Sequence, residues 1–352
     1  MPLVVAVIVV VLAVGAVTQI GPASAPARRA VDRSFAALAA PIVAQSNASG
    51  SALGSLLAHG AALERVTFFS DLATIAGAVD EDDRLFGTLS PPAPSGKALT
   101  LCGNSMSGRR RAVARAEDAL ERLLGGRQGI GGGDEATTAA SLVTVGRMLS
   151  AADASWAACR RSLLRAPGSA RLPTSRWVVR PSLWGEEAVG RLTAALVSSS
   201  SLAAVHRLGI VFVSTAPPSV PGGAGVSVVE PTDALAVKVV VANQGNVDEK
   251  AVHLAVRAVT SRGTQSPPRS AVTSMGAGDA VTLVPPALSV RPGTSYVVTV
   301  TATAVGASTS TTLSLRVSSV PPPPTTTTTT STTTSTTTAP TPATTAGRPA
   351  TG

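Results

Sequence analysis

Apolar residues recur along this chain with two different periods, and the change of period divides it. Over residues 26–206 they return every three or four positions, the spacing of one face of an α-helix. The strictest case is Leu142, Val145, Leu149, Ala152, Trp156, Cys159 and Leu163, whose alternating steps make a heptad seam. Asp134 stands where an N-cap belongs, and Pro167-Gly168 where that helix should stop. A second helix is expected over about Gly108–Leu124, with Val113, Ala116, Leu120 and Leu123 inward and Gly125-Gly126 ending it. Earlier helices are expected over about Ala27–Gln45 and Ser51–Val79, and a last one over Gly185–His206. Five helices joined by Gly, Pro and Ser loops predict an antiparallel bundle.

Beyond residue 207 the period falls to two. Leu235, Val237, Val239 and Val241 alternate with Ala236, Lys238 and Val240, and after the turn Asn243-Gln244-Gly245-Asn246 the alternation resumes at Val252, Leu254 and Val256. Val281–Leu283, Tyr296–Val300 and Leu313–Val317 follow, and Ile210–Val213 and Val226–Val229 precede them. About seven short strands with turn signals between them predict a β-sandwich over 207–319. Residues 320–352 are Pro and Thr in low complexity, which cannot bury enough apolar area to offset ordering entropy, so a disordered tail is expected. At the other end, Leu3–Ile20 is uncharged and apolar; as a helix it would span about 27 Å, close to a bilayer core. Residues 1–25 therefore read as a transmembrane signal anchor or as a cleaved signal peptide with small-x-small sites at Ala23-Ser24-Ala25 and Ala25-Pro26-Ala27. The expected class is multidomain α plus β: an N-terminal transmembrane helix, a helical bundle, a sandwich and a tail.

Two stretches of the strand-rich part, VKVVVANQGN at Val237–Asn246 and LSVRPGTSYVVTVTA at Leu288–Ala302, resemble bacterial immunoglobulin-like surface domains of the CARDB or fibronectin-III-like kind. The resemblance implies a Pro-Gly turn at Pro292-Gly293 before a strand opening with Tyr296, whose hydroxyl bonds back to the corner. The helical part, with WAACRRSLLRAPGSARLPTSRW at Trp156–Trp177, resembles exported actinobacterial proteins of unknown function.

Charge and cysteine content narrow the setting. The chain carries 29 basic and 20 acidic residues, a net charge of +9, with only three lysines (Lys97, Lys238, Lys250). Aromatics make up 3%, too few for a stacking platform on single-stranded nucleic acid, and no nucleic-acid partner is expected. Cys102 and Cys159 are the only cysteines, and in an oxidising compartment one pair points to one disulfide. Cys102 is expected in a loop before the second helix. The alternative is two buried free thiols.

Catalytic chemistry is sparse. His59, His206 and His253 lie in different segments without a partner at metal-ligand spacing, and are expected on element surfaces. Asp80-Glu81-Asp82-Asp83 fails as a calcium loop because Arg84 and Leu85 occupy positions needing a ligand and a Gly, so it reads as a solvated loop. GGRQGIGGGDE at Gly125–Glu135 follows a helix and lacks the Gly-Lys-Ser/Thr ending of a phosphate loop. No catalytic, cofactor-binding or metal residues are expected, and no cofactor. The suggestive feature is basic: Arg160, Arg161, Arg165, Arg171, Arg176 and Arg180 fall in a stretch without an acid, with Trp177 and Trp184 inside or just beyond it. They read as a patch for anionic lipid headgroups or acidic wall polymers, or as a solvated arginine loop. The expected role is a non-enzymatic envelope protein at the membrane or secreted, binding an envelope protein or an anionic surface. The alternative is an enzyme or enzyme-regulating subunit acting on envelope polymers through the bundle.

Overall fold

The structure, a computed structural model, describes residues 25–89, 96–130, 132–164, 171–263 and 268–319. Five α-helices come first: α1 (Ala25–His59), α2 (Arg65–Thr88), α3 (Gly96–Leu124), α4 (Glu135–Leu164) and α5 (Glu186–Ser198). The heptad seam of α4 is buried at all seven positions. Asp134 caps that helix, its Oδ2 accepting the N–H of Thr137 at 2.8 Å. The sequence places several helix ends differently: α2 runs on from the expected Val79 to Thr88, α5 stops at Ser198 rather than His206, and α1 and α3 differ most. The turn expected at residues 46–50 stays helical, so α1 runs unbroken through Pro41 to His59 and gives way to a 3-10 turn over Gly60–Ala62. Helix α3 begins twelve residues before the expected Gly108 and takes in Cys102.

Two apolar clusters hold the helices together. One joins all five helices around Leu53, Phe68, Leu72, Leu120, Leu142, Leu149 and Leu196. The other joins α1 to the Cys102 end of α3 and the Cys159 end of α4 through Phe35, Phe86, Met106 and Trp156. Edge-to-face contacts link the rings of Phe86, Phe35 and Trp156.

Ten strands follow: β1 (Leu208–Ala216), β2 (Ser219–Pro221), β3 (Ser227–Val229), β4 (Ala234–Asn243), β5 (Glu249–Thr260), β6 (Arg269–Met275), β7 (Ala280–Leu283), β8 (Leu288–Ser289), β9 (Ser295–Ala304) and β10 (Ala307–Val317). One sheet has the order β1-β4-β7, with β8 added to β4; the other runs β2-β3-β10-β9-β5-β6, antiparallel except for the β3–β10 pair. The period-two residues face a shared core: Leu235, Val237, Val239 and Val241 from β4 meet Val252, Leu254 and Val256 from β5 and Val298 and Val300 from β9. Tyr296 Oη accepts the N–H of Arg291 at 2.8 Å across the Pro292-Gly293 turn. Strands β2, β6 and β8 have no counterpart among the seven expected.

The β4–β5 turn rests on the end of the helical part. Asn246 donates to the Ala203 carbonyl and accepts from the Val205 N–H, and the Asp248 N–H donates to the Arg127 carbonyl. His206, expected at a surface, is largely enclosed and bonds the buried Glu249 at 2.9 Å.

The N-terminal transmembrane helix requires correction. No helix among the described residues is long and apolar enough to cross a membrane, so the class is α plus β, with five helices and mixed sheets and no membrane helix among the described residues. Residues 3–20 and the Pro/Thr stretch 320–352 lie outside the described residues.

Cys102 and Cys159 are joined in a disulfide, Cα atoms 5.4 Å apart, both wholly buried. Cys102 sits within α3 rather than in a loop, so the bridge staples two packed helices. It closes 57 residues, and opening it should cost about 4 kcal/mol of stability in the chain-entropy account. Chemical denaturation of the Cys102→Ser/Cys159→Ser chain should show a lower midpoint. An unchanged midpoint would mean that helix packing alone sets the stability.

Candidate functional site

Beyond α4, residues 171–184 run antiparallel along it. Four contacts fix the register. The Leu172 carbonyl accepts from Arg160 Nε at 3.0 Å, the Pro173 carbonyl accepts from Trp156 Nε1 at 3.1 Å, and the N–H groups of Trp177 and Val178 both donate to Asp153 Oδ2 at 2.9 Å. Trp184 then lies against Gly146, where an added Cβ would stand 2.4 Å from the tryptophan Cβ. The contacts descend α4 from residue 160 to residue 146, so the strap 171–184 covers about 21 Å of helix. Gly50 of α1 makes room for the second tryptophan: a Cβ there would stand 2.7 Å from the Trp177 ring.

The strap is held from beneath by a buried charge. Arg109 of α3 has no exposed surface. Its guanidinium donates to Asp153 Oδ1 at 2.9 Å, Ser46 Oγ at 3.1 Å and Ser175 Oγ at 2.7 Å. It also lies 5.3 Å from the Trp177 ring centroid and 6.0 Å from that of Trp156. Ser175 in turn donates to Asn47 Oδ1 at 2.6 Å, and Asn47 Nδ2 donates to the Thr174 carbonyl at 3.1 Å. Helices α1, α3, α4 and the strap therefore meet at one guanidinium. Burial lowers the pKa of Arg109 and the bond to Asp153 opposes that shift; an arginine keeps its charge here regardless.

Asp82 belongs to the same neighbourhood and corrects a further expectation. Residues 80–83 are not a loop but lie inside α2, and Asp82 is 3% exposed. Burial pushes its carboxyl up to about 7, against the pull of Arg109 and with a small push from Glu81. Asp80 and Asp83 stay near the surface and pair with Arg110 at 3.9 and 2.8 Å.

The structure distributes the six predicted arginines unevenly. Arg165 lies outside the described residues. Arg160 is half-buried and uses its Nε on the Leu172 carbonyl. Arg176 is exposed, with its Nε bonded to the Val178 carbonyl at 2.9 Å. Arg161, Arg171 and Arg180 are exposed. Trp177 and Trp184 do not face outward with them, as a basic and aromatic patch would require, but pack into the bundle. Arg109 and Asp153, which carry the arrangement, were missed. A signal was available: Met106, Arg109, Val113, Ala116, Leu120 and Leu123 step like the α4 seam, which places Arg109 inward on α3. Ile75, Val79, Asp82 and Phe86 do the same for Asp82 on α2.

Elsewhere a cleft of about 610 Å³ opens at the end of α3 between Asp118, Glu121 and Arg122 and the glycine loop, and a cavity of about 180 Å³ lies where Phe69 and Arg127 face Asn246 and Asp248. Among the described residues no group of three or more His, Cys, Asp or Glu could hold a metal ion.

No family model matches the chain, and no curated protein matches it. Among solved structures, a Pseudomonas fluorescens alkylpurine DNA glycosylase AlkC bound to DNA containing an abasic site analogue aligns over 81% of this chain and 99% of its own, at 13% identity. Its TM-score is 0.20, so the likeness carries no argument about this chain.

Two substitutions test the seating of the strap and the burial of Asp82. In Gly146→Ala the Trp184 ring must shift, which should cost about 1–3 kcal/mol and change the near-ultraviolet dichroism. For Asp82 the folded pKa lies above the unfolded one, so the folded chain holds a proton that the unfolded chain has released. Stability should then fall as pH rises from about 4 to about 7. Asp82→Asn should remove that slope and raise the denaturation midpoint above pH 7, on the order of a few kcal/mol. A parallel pH profile for variant and parent would place the carboxylate in water.

Proposed function

We propose that this chain is an exported cell-envelope protein that works by binding and not by turning over a substrate, with the strap 171–184 as its contact for an anionic partner. The observation that carries the reading is the braced strap itself. Its inward side chains and N–H groups are engaged by Arg109, Asp153, Gly50 and Gly146, while Arg171, Arg176 and Arg180 stay at the surface. A cationic face on a rigid support keeps its charges together without the ordering cost that a flexible loop would meet on binding.

Export is supported by the buried Cys102–Cys159 bridge, since such bonds persist in oxidising compartments. The resemblance of residues 237–246 and 288–302 to bacterial immunoglobulin-like surface domains points the same way, with the Tyr296 corner bond consistent with it. The strand-rich part would then be a second contact or spacing unit. Arg109 and Asp153 tie elements of the helical part together and Asp82 is buried beside them, which favours a structural role for these charged groups over a catalytic one.

The test is thiol trapping in cells expressing the native gene with a C-terminal tag. With the trapped chain unfolded in denaturant, both cysteines should resist alkylation until a reductant is added, and the protein should be recovered outside the cytoplasm. A cytoplasmic chain with two free thiols would overturn the reading.

A further inference from the structure

The outward face of the strap carries more than charge. Val179, next to Arg180 and three residues from Arg176, is 68% exposed, and Leu183 is 57% exposed. These two side chains are not simply left over from packing. Their neighbours Trp177, Val178 and Trp184 point into the bundle, and the tip between them is bracketed by the Val178 bond to Asp153 on one side and by Trp184 on Gly146 on the other. Between these fixed points Pro181–Trp184 makes one 3-10 turn. From Arg171 to Gly185 there is no acidic residue; Glu186 and Glu187 open α5 beyond it, and Glu187 is paired with Arg191.

Exposed apolar tips set among arginines match a surface that is anionic outside and apolar just beneath. A water-soluble acidic polymer would use the arginines alone and gain nothing from Val179 or Leu183. We propose that the strap docks this protein onto an anionic lipid surface, with Arg171, Arg176 and Arg180 among the headgroups and Val179 and Leu183 in the apolar boundary below. This rests on the exported, binding role above and names the partner of the same face.

The experiment uses the full chain carrying an environment-sensitive fluorescent amino acid in place of the exposed Ser182. The readout is local to the strap, so membrane contact made by any other segment does not register. Vesicles of phosphatidylglycerol and phosphatidylcholine should shift the emission to the blue, and phosphatidylcholine alone should not. Arg171→Gln/Arg180→Gln should demand about thirty-fold more anionic lipid for the same shift, and Val179→Ser/Leu183→Ser should reduce the shift at every lipid concentration. All of these positions are exposed, and an unchanged thermal midpoint verifies that each variant folds. No shift on anionic vesicles, or an equal shift on both lipids, would overturn the proposal. So would a Val179→Ser/Leu183→Ser chain as responsive as its parent, the result expected if the face takes a soluble polyanion. Failure here leaves the thiol-trapping result untouched, so loss of the lipid partner and loss of the exported role are told apart.

Discussion

Arg109 is the constraint on which the helical part depends. A guanidinium without solvent has lost its hydration, and the loss is tolerable only if fixed acceptors replace the water. Asp153 supplies the counter-charge through one oxygen and accepts two backbone N–H groups through the other. Ser46 and Ser175 take further donors, and two indole faces cover the plane. Such pairs rarely add net stability over an apolar core of the same shape, but removing one partner strands the other. Their effect is to specify: α1, α3, α4 and the strap fit together in the one register that satisfies every acceptor.

A second arginine does comparable work at the other end of the bundle. Arg65, at the start of α2, is buried and donates to the Leu202 carbonyl at 2.5 Å, the Leu124 carbonyl at 2.6 Å and the Gly126 carbonyl. The last of the α3 carbonyls, which have no partner within their own helix, are thus met by a cation, where the helix dipole favours one. The same arginine fixes Leu202, just before residues 203–207, on which Asn246 and the β4–β5 turn rest. One side chain therefore sets both the end of a helix and the footing of the strand-rich part.

Much of this architecture is legible in the residues, and what is not has identifiable causes. The α4 seam is uninterrupted by polar residues, so its face could be read outright. On α3 the same spacing is broken by Arg109, and on α2 by Asp82; periodicity that counts only apolar residues loses the turn where a charge faces inward. Asn47-Ala48-Ser49-Gly50 reads as a break, yet α1 continues through it because Asn47 is engaged by the strap and Gly50 receives Trp177. Both are tertiary contacts invisible to local pattern. Strand β6 alternates weakly, as Val272 is exposed and only Met275 is buried, so its membership in a sheet depends on β5 beside it. The arginine run was visible, but not which of its members would be at the surface, since that follows from the antiparallel register against α4.

The position of the disulfide relative to the strap has a mechanical consequence. The bridge closes the stretch between Cys102 and Cys159, while the strap lies wholly beyond it. Tension drawn through the strand-rich part would first have to strip Leu202 and α5 from the bundle, and would then part the strap's bonds to α4 in sequence from the Trp184 end toward Leu172. It would then meet a covalent link. The 57 residues behind that link, roughly 190 Å of extended chain, cannot be paid out. The stretch between the two cysteines can therefore stay closed while the strap peels, like a seam that opens as far as a rivet.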